Sequence, residues 1–189
     1  MKILGIVCSP RKGGNTEILV EEALAAAKEK GAETELVLVA DKDINFCDAC
    51  GACAADGVCV IEDDMQEIYQ KIESADGLIF GTPVYFANVS AQAKAVIDRT
   101  YALYRGVKLR GKVAAAVVAV RRVGAGQVLS LLYSWFNSHR MITVGGAIGY
   151  GRDKGEVREG TGGGHGSTAL GEAKAIGKAV YGMINRISK

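Results

Sequence analysis

Hydrophobic positions in this chain gather into five short runs, at 2–8, 33–39, 77–81, 113–120 and 141–148, separated by stretches of helical period. Most of the runs are continuously apolar rather than alternating, as parallel strands covered on both faces should be. Between the first two, residues 16–30 place Leu19, Val20, Ala23, Leu24 and Ala27 on one helical face, with Asn15 or Thr16 as cap and Gly31 as stop. Met65, Ile68, Tyr69 and Ile72 give a second helix, capped by Asp63 or Asp64, its apolar stripe. Ser90 caps a third that carries Ala93, Val96, Ile97 and Tyr101. Residues 127–138 and 167–187 supply two more, the last packing through Ala173, Gly177, Val180, Ile184 and Ile187. Strands alternating with helices in this way predict an α/β protein: a doubly wound, five-stranded parallel sheet with helices on both faces.

Composition adds little to that picture. The 189 residues, 49% hydrophobic and 23% charged, suit one globular domain spanning the chain. The apolar runs fall well short of the roughly 20 residues of a membrane span, and Met1-Lys2 leads at once into a strand rather than a signal sequence. A cytoplasmic protein without a membrane partner is therefore expected. The net charge of +2 gives no general reason to expect nucleic acid. Charge distribution says more. Residues 33–76 hold twelve acidic side chains against Lys42 and Lys71, whereas Arg99, Arg105, Lys108, Arg110, Lys112, Arg121 and Arg122 face only Asp98. Such a dipole reads as two solvated faces, or as complementarity between copies or toward an electron carrier.

Four of the five cysteines lie within thirteen residues, in a C-x2-C-x2-C-x5-C run made of Cys47, Cys50, Cys53 and Cys59. Small residues between them let a short loop aim several thiolates at one centre, which fits a 4Fe-4S cluster. Zinc sites favour two separated C-x2-C pairs, and reducing surroundings disfavour disulfides; free or redox-active thiols are the other reading. Cys8 ends an apolar strand and is expected to be core.

After the first strand, Ser9-Pro10-Arg11-Lys12-Gly13-Gly14-Asn15-Thr16 opens directly into a helix, the arrangement of an anion cradle. Neither G-x-G-x-x-G nor the Walker pattern occurs there, so one phosphomonoester suits it better than a dinucleotide or a triphosphate. Beyond the third strand, Thr82-Pro83-Val84-Tyr85-Phe86-Ala87-Asn88 offers aromatic walls and main-chain N–H groups near the switch point of the sheet. These would wall an aromatic ring, and the loop 121–127, with Arg122 and Gly124, is placed to close over it. Residues 149–166, with eight glycines and no period, read as a binding segment, a lid or disorder. His139 and His165 are expected to be solvated, and no catalytic acid or base is assigned.

The phosphate-type loop at Ser9 to Thr16, the cysteine run leading into Asp63-Asp64-Met65, the Thr82 to Phe86 loop, and Ser90-Ala91-Gln92 through Asp98-Arg99 together resemble the iron–sulfur flavoproteins of the NADPH-dependent FMN reductase group. The resemblance implies a flavodoxin-like sheet of order 2-1-3-4-5. It places the FMN phosphate on Ser9, Arg11, Gly14, Asn15 and Thr16, and the flavin ring against Pro83, Val84, Tyr85, Phe86 and Asn88, with Arg122 and Gly124 beside it. It puts a 4Fe-4S cluster on Cys47, Cys50, Cys53 and Cys59, in homodimers or homotetramers where cluster and flavin approach across an interface. Electron transfer between FMN, the cluster and a carrier such as ferredoxin, or a small acceptor, is the function it implies. NAD(P)H is a candidate donor. A cluster-free NAD(P)H-dependent FMN or quinone reductase and a redox or metal sensor are the alternatives.

Overall fold

A computed structural model describes residues 1–188. Five parallel strands, β1 (Lys2–Val7), β2 (Glu33–Leu38), β3 (Gly77–Pro83), β4 (Val113–Val120) and β5 (Ile142–Tyr150), form one sheet in the order β2-β1-β3-β4-β5. The switch point expected between the first and third strands is therefore present. β4 is buried along its whole length, which is why its sequence shows no alternation.

Alternate residues of each strand feed two cores. Ile3, Val7, Ile79, Val113, Ala115 and Val117 face helices α1 (Asn15–Lys28) and α6 (Ala169–Ile187). Leu4, Ile6, Phe80, Ala114, Ala116 and Val118 face α2 (Met65–Ser74), α3 (Ala91–Arg99), α4 (Tyr101–Arg105) and α5 (Ala125–Ser138). Among the described residues, no helix is long and apolar enough to cross a membrane.

Several local expectations shift. The N-cap of α1 is Gly14, not Asn15 or Thr16, because the loop needs those two residues inside the first turn. Ser90 caps α3 as expected, its Oγ accepting the N–H of Ala93 at 3.1 Å. The helix ends at Thr100, so Tyr101 starts the separate helix α4 and is half-exposed rather than on the stripe. Ile187 is likewise exposed, lying past the last turn of α6 that meets the sheet.

The glycine-rich segment is tied down. Asn15 Oδ1 accepts the N–H of Gly155 at 2.8 Å, and its amide donates to Asp153 O at 2.9 Å. Glu172 on α6 accepts the N–H groups of Ile148 (2.9 Å) and Gly164 (2.6 Å) and the Ser167 hydroxyl (2.6 Å). Burial alone would raise the Glu172 carboxyl, but these donors outweigh it and hold it below the usual range. Val157 at the middle of the segment is fully buried. A lack of period in the sequence thus reflects glycine turns held by two anchors, not freedom.

Candidate functional site

Two concave regions gather the residues singled out in the sequence. The first, a cleft of about 280 Å³, sits past the carboxyl ends of the strands and is lined by Ser9, Arg11, Gly14, Asn15, Thr16, Pro83, Val84 and Tyr85. Its cradle follows from the sequence. Ser9 Oγ accepts the Arg11 N–H at 3.2 Å, and Glu17 accepts the Gly13 N–H at 2.6 Å, so the loop folds back over the start of α1. The first-turn N–H groups of α1 have no intrahelical acceptor and face that end.

The cleft also gathers cations that sequence reasoning missed. Arg121, Arg152 and Lys154 line it together with Arg11, and a Cβ on Gly13 would stand 3.1 Å from Lys154 Nζ. Arg152 and Lys154 arrive on the anchored glycine segment, which the Asn15 hydrogen bonds bring to the cleft and no local sequence pattern reveals. Lys12 is instead ion-paired with Asp41.

Of the expected ring-contacting residues, Pro83, Val84 and Tyr85 line the cleft, whereas Phe86, Asn88, Arg122 and Gly124 do not. Tyr85 and Asn88 exchange main-chain hydrogen bonds of 2.9 and 3.0 Å around a two-residue turn. Phe86 (φ 48°) and Ala87 (φ 58°) occupy left-handed positions that glycine or asparagine fills more easily. The turn throws Phe86 fully into solvent. Arg122 is exposed, with Arg121 taking the cleft-facing place. Gly124 (φ +100°) caps α5 and packs under the turn; a Cβ there would meet Ala87 Cα and Val84 Cγ1 at 2.9 Å.

The second region is a largely apolar cavity of about 640 Å³ between the cysteine loop and α3, α4 and α5. Cys47, Cys50, Cys53 and Cys59 all line it, and none is in a disulfide. The loop turns at Ala49, Gly51 and Gly57, all at positive φ. A Cβ on Gly57 would sit 3.1 Å from Ala102 O, so the loop lies directly on α4. Arg105 holds it there, donating to Ala54 O at 3.1 Å. Among the described residues, no three His, Cys, Asp or Glu side chains converge as the ligands of a single ion. Four thiols lining one cavity are a donor set suited to an iron–sulfur cluster held by cysteine thiolates. Burial, followed by the neighbouring cysteines, raises the Cys53 thiol; a bound metal reverses that by stabilising the thiolate.

His139 forms part of the far wall and, against expectation, is buried at 6% exposure. Thr100 Oγ1 donates to Ile97 O at 2.6 Å and accepts from Trp135 Nε1 at 3.0 Å. Its only proton is thereby used, so the 3.1 Å contact with His139 Nε2 assigns the ring proton to that nitrogen. Burial pushes the His139 pKa down to about 4. The unfolded chain, with a value of about 6.5, takes up the proton first as pH falls. Stability is then complete above about pH 7 and is lost between about 6.5 and 4. Denaturant titrations at pH 8 and pH 5 should differ by about 2 kcal/mol through this residue, and His139→Gln should remove that share of the difference.

The model of the NADPH-dependent FMN reductase family matches residues 1–153 of the chain. An iron–sulfur flavoprotein of Methanocaldococcus jannaschii is 41% identical over 199 aligned positions, covering 100% of both chains. The chain belongs to the iron–sulfur flavoprotein family. Another member of that family, from Methanosarcina thermophila, is 45% identical over 77% of this chain and 78% of its own. Among solved structures, a flavodoxin from the domain Archaea superimposes with a TM-score of 0.64 at 14% identity, covering 98% of this chain and 99% of that one. RosB, solved with a bound flavin-phosphate intermediate, gives 0.75 at 17% identity, covering 100% and 80%. At such identities the last two speak for the flavodoxin-like fold alone.

Proposed function

We propose that the chain binds FMN in the cationic cleft and a 4Fe-4S cluster on Cys47, Cys50, Cys53 and Cys59, and works as an electron-transferring oxidoreductase. The observation that carries this reading is that all four cysteines of the run line one cavity with every thiol unpaired. When bound, FMN would supply two-electron or hydride exchange and the cluster one-electron exchange with a carrier such as ferredoxin or a small acceptor. The protein's own residues bind and orient. The α1 N-terminus, Arg11, Arg121, Arg152 and Lys154 would neutralise phosphate, while Pro83, Val84 and Tyr85 would wall the ring. No side chain is assigned a proton-transfer role.

Lys154 makes this binding mode testable on its own. Lys154→Ala should weaken FMN binding to flavin-stripped protein about tenfold, the loss of one charge-assisted contact, and leave riboflavin binding unchanged because riboflavin has no phosphate. Quenching of flavin fluorescence measures both, and equal losses for the two flavins would count against the phosphate assignment.

A cluster-free reductase is the second reading, favoured by one observation: the four cleft cations exceed what one phosphomonoester requires, leaving charge for a donor such as NAD(P)H. We further propose self-association in a dimer or tetramer, supported by the exposed Phe46, Phe86 and Val123 and by the acidic and basic halves of the chain, and a cytoplasmic setting suited to free thiols. Anaerobic purification with iron, sulfide, zinc and FMN assays tests the main reading. About four irons and one FMN per chain support it. FMN without iron, even after reconstitution, shifts the function to the reductase, and zinc without flavin overturns both.

A further inference from the structure

Arg99 and Asp63 form an ion pair whose side chains are 0% and 2% exposed. It is bidentate, with Nη1 to Oδ2 at 2.6 Å and Nη2 to Oδ1 at 3.0 Å. The remaining guanidinium donors are also occupied. Nη1 reaches Asn45 O at 2.9 Å, Nη2 reaches Ile61 O at 3.3 Å, and Nε reaches the Tyr69 hydroxyl at 3.4 Å. All five N–H groups of the side chain therefore have an acceptor.

Two of those acceptors identify the role. Asn45 lies just before Cys47 and Ile61 just after Cys59, so one guanidinium spans the neck of the cysteine loop. Asp63 reinforces the same neck by accepting the Asn45 N–H at 2.9 Å and the Met65 N–H at 3.0 Å. Gln66 adds a second tie, donating to Cys59 O at 3.0 Å and Ile61 O at 2.8 Å. Between its ends the loop is shaped by short-range contacts, a 3-10 turn at Ala52–Ala54 and the hydrogen bonds of Cys50 N–H to Asp48, Gly57 N–H to Cys53 O and Val58 N–H to Asp56, with Arg105 tying it to α4. Placing a charged pair here is costly, since well-packed apolar residues of the same volume are often as stable. Its gain is geometric: planar, bidentate recognition fixes both strands of the neck at once.

The pair also lies beside the cavity. Arg99 lines it and Asp63 does not. A group that takes up an electron in that cavity therefore has Arg99 beside it, its sealed guanidinium in surroundings of low dielectric where charge acts strongly.

We propose that Arg99 is the positioning residue of the cysteine loop: it clamps the loop's neck so that the four thiols line one cavity, and it keeps a permanent positive charge beside that cavity that raises the reduction potential of the group bound there. The second half rests on the cluster reading above; the first does not.

The experiment uses full-length protein with Arg99→Lys, Arg99→Met and Asp63→Asn. In metal-free, reduced protein, thiol labelling followed by mass spectrometry reads Cys53 and Cys59, which are half-buried in the closed loop. Both Arg99 variants should label there about tenfold faster than the parent protein, as expected when a buried clamp is broken. In reconstituted protein, a mediated titration followed by absorption reads the potential. Arg99→Met should move it negative, Arg99→Lys should leave it near the parent value because the charge remains, and Asp63→Asn should move it positive because the cation loses its counter-charge. A purely structural role would speed labelling without this order of potentials. Unchanged labelling in both Arg99 variants overturns the clamp, and equal potentials in Arg99→Met, Asp63→Asn and the parent overturn the tuning. If Arg99→Met fails to fold, the contrast between an unshifted Arg99→Lys and a positive shift in Asp63→Asn still decides it. A parent protein that takes up no iron on reconstitution defeats the cluster reading instead, and the labelling result alone then judges the clamp.

Discussion

Cys59→Ser should leave the protein folded and FMN-loaded but drop its iron from about four per chain to below about one. The expectation follows from where the thiol sits. Cys59 is half-buried on the cavity wall, at the returning end of the loop, where Gln66 fixes its carbonyl at 3.0 Å. A cluster held by four thiolates loses one corner when the soft sulfur becomes a hydroxyl that stays protonated at neutral pH. The fold should survive because Cys53 and Cys59 only flank the core on the α2 side and Cys47 and Cys50 are exposed. Cys8→Ala is the control. Cys8 is wholly buried at the end of β1, and burial raises its thiol well above the usual range, so it is packing and its replacement should leave the iron content intact. Iron and sulfide assays with visible absorption settle both, and a Cys59→Ser protein with full iron would remove that residue from the ligand set.

The second large effect is on stability. Gly177 on α6 crosses α1 at Ala23, and a Cβ there would lie 1.9 Å from Ala23 O and 2.8 Å from its carbonyl carbon. Those are backbone atoms inside a helix, so no rotamer change relieves the clash; α1 and α6 must separate, and both pack on the same face of the sheet. Gly177→Ala should cost about 3 kcal/mol, at the upper end for one added methyl group in a packed core, and lower the melting temperature by roughly 6–12 °C for a chain of this size. Gly182, on the same helix, has open space where a methyl group would stand, with no neighbouring atom within 4 Å. Gly182→Ala should therefore stabilise by about 1 kcal/mol through helix propensity alone. Thermal unfolding of the two variants side by side separates packing from propensity, and a Gly177→Ala protein as stable as the parent would show that the two helices can part at no cost.

These two cases differ in how far the sequence announced them. The cysteine run is local: its spacing is a property of thirteen consecutive residues, and the loop needs only short-range turns to bring the thiols to one cavity. Gly177 was legible as part of the packing stripe of its helix, but the stripe carries no information about which backbone it meets. The same contrast holds for the cleft. Ser9, Arg11, Gly14 and Thr16 were readable because a strand, a glycine loop and a helix start follow one another in the chain. Phe86, aromatic and just past a strand, has the sequence signal of a ring wall, and the left-handed turn at Phe86 and Ala87 sends it to solvent.

The places of the five strands, the two-sided burial of β4 and the position of the cysteine loop were set by patterns that reach no further than one element, since apolar period and residue spacing report burial and turn chemistry locally. Only the tertiary structure decided which distant groups meet. It commits Asn15 to the glycine segment, brings Arg152 and Lys154 into the cleft, buries His139, and takes Arg99 from a basic stretch of sequence to the neck of the cysteine loop. Each of these depends on a partner tens of residues away or more, and a side chain with several possible hydrogen-bond partners gives no sign in sequence of which one folding will place against it.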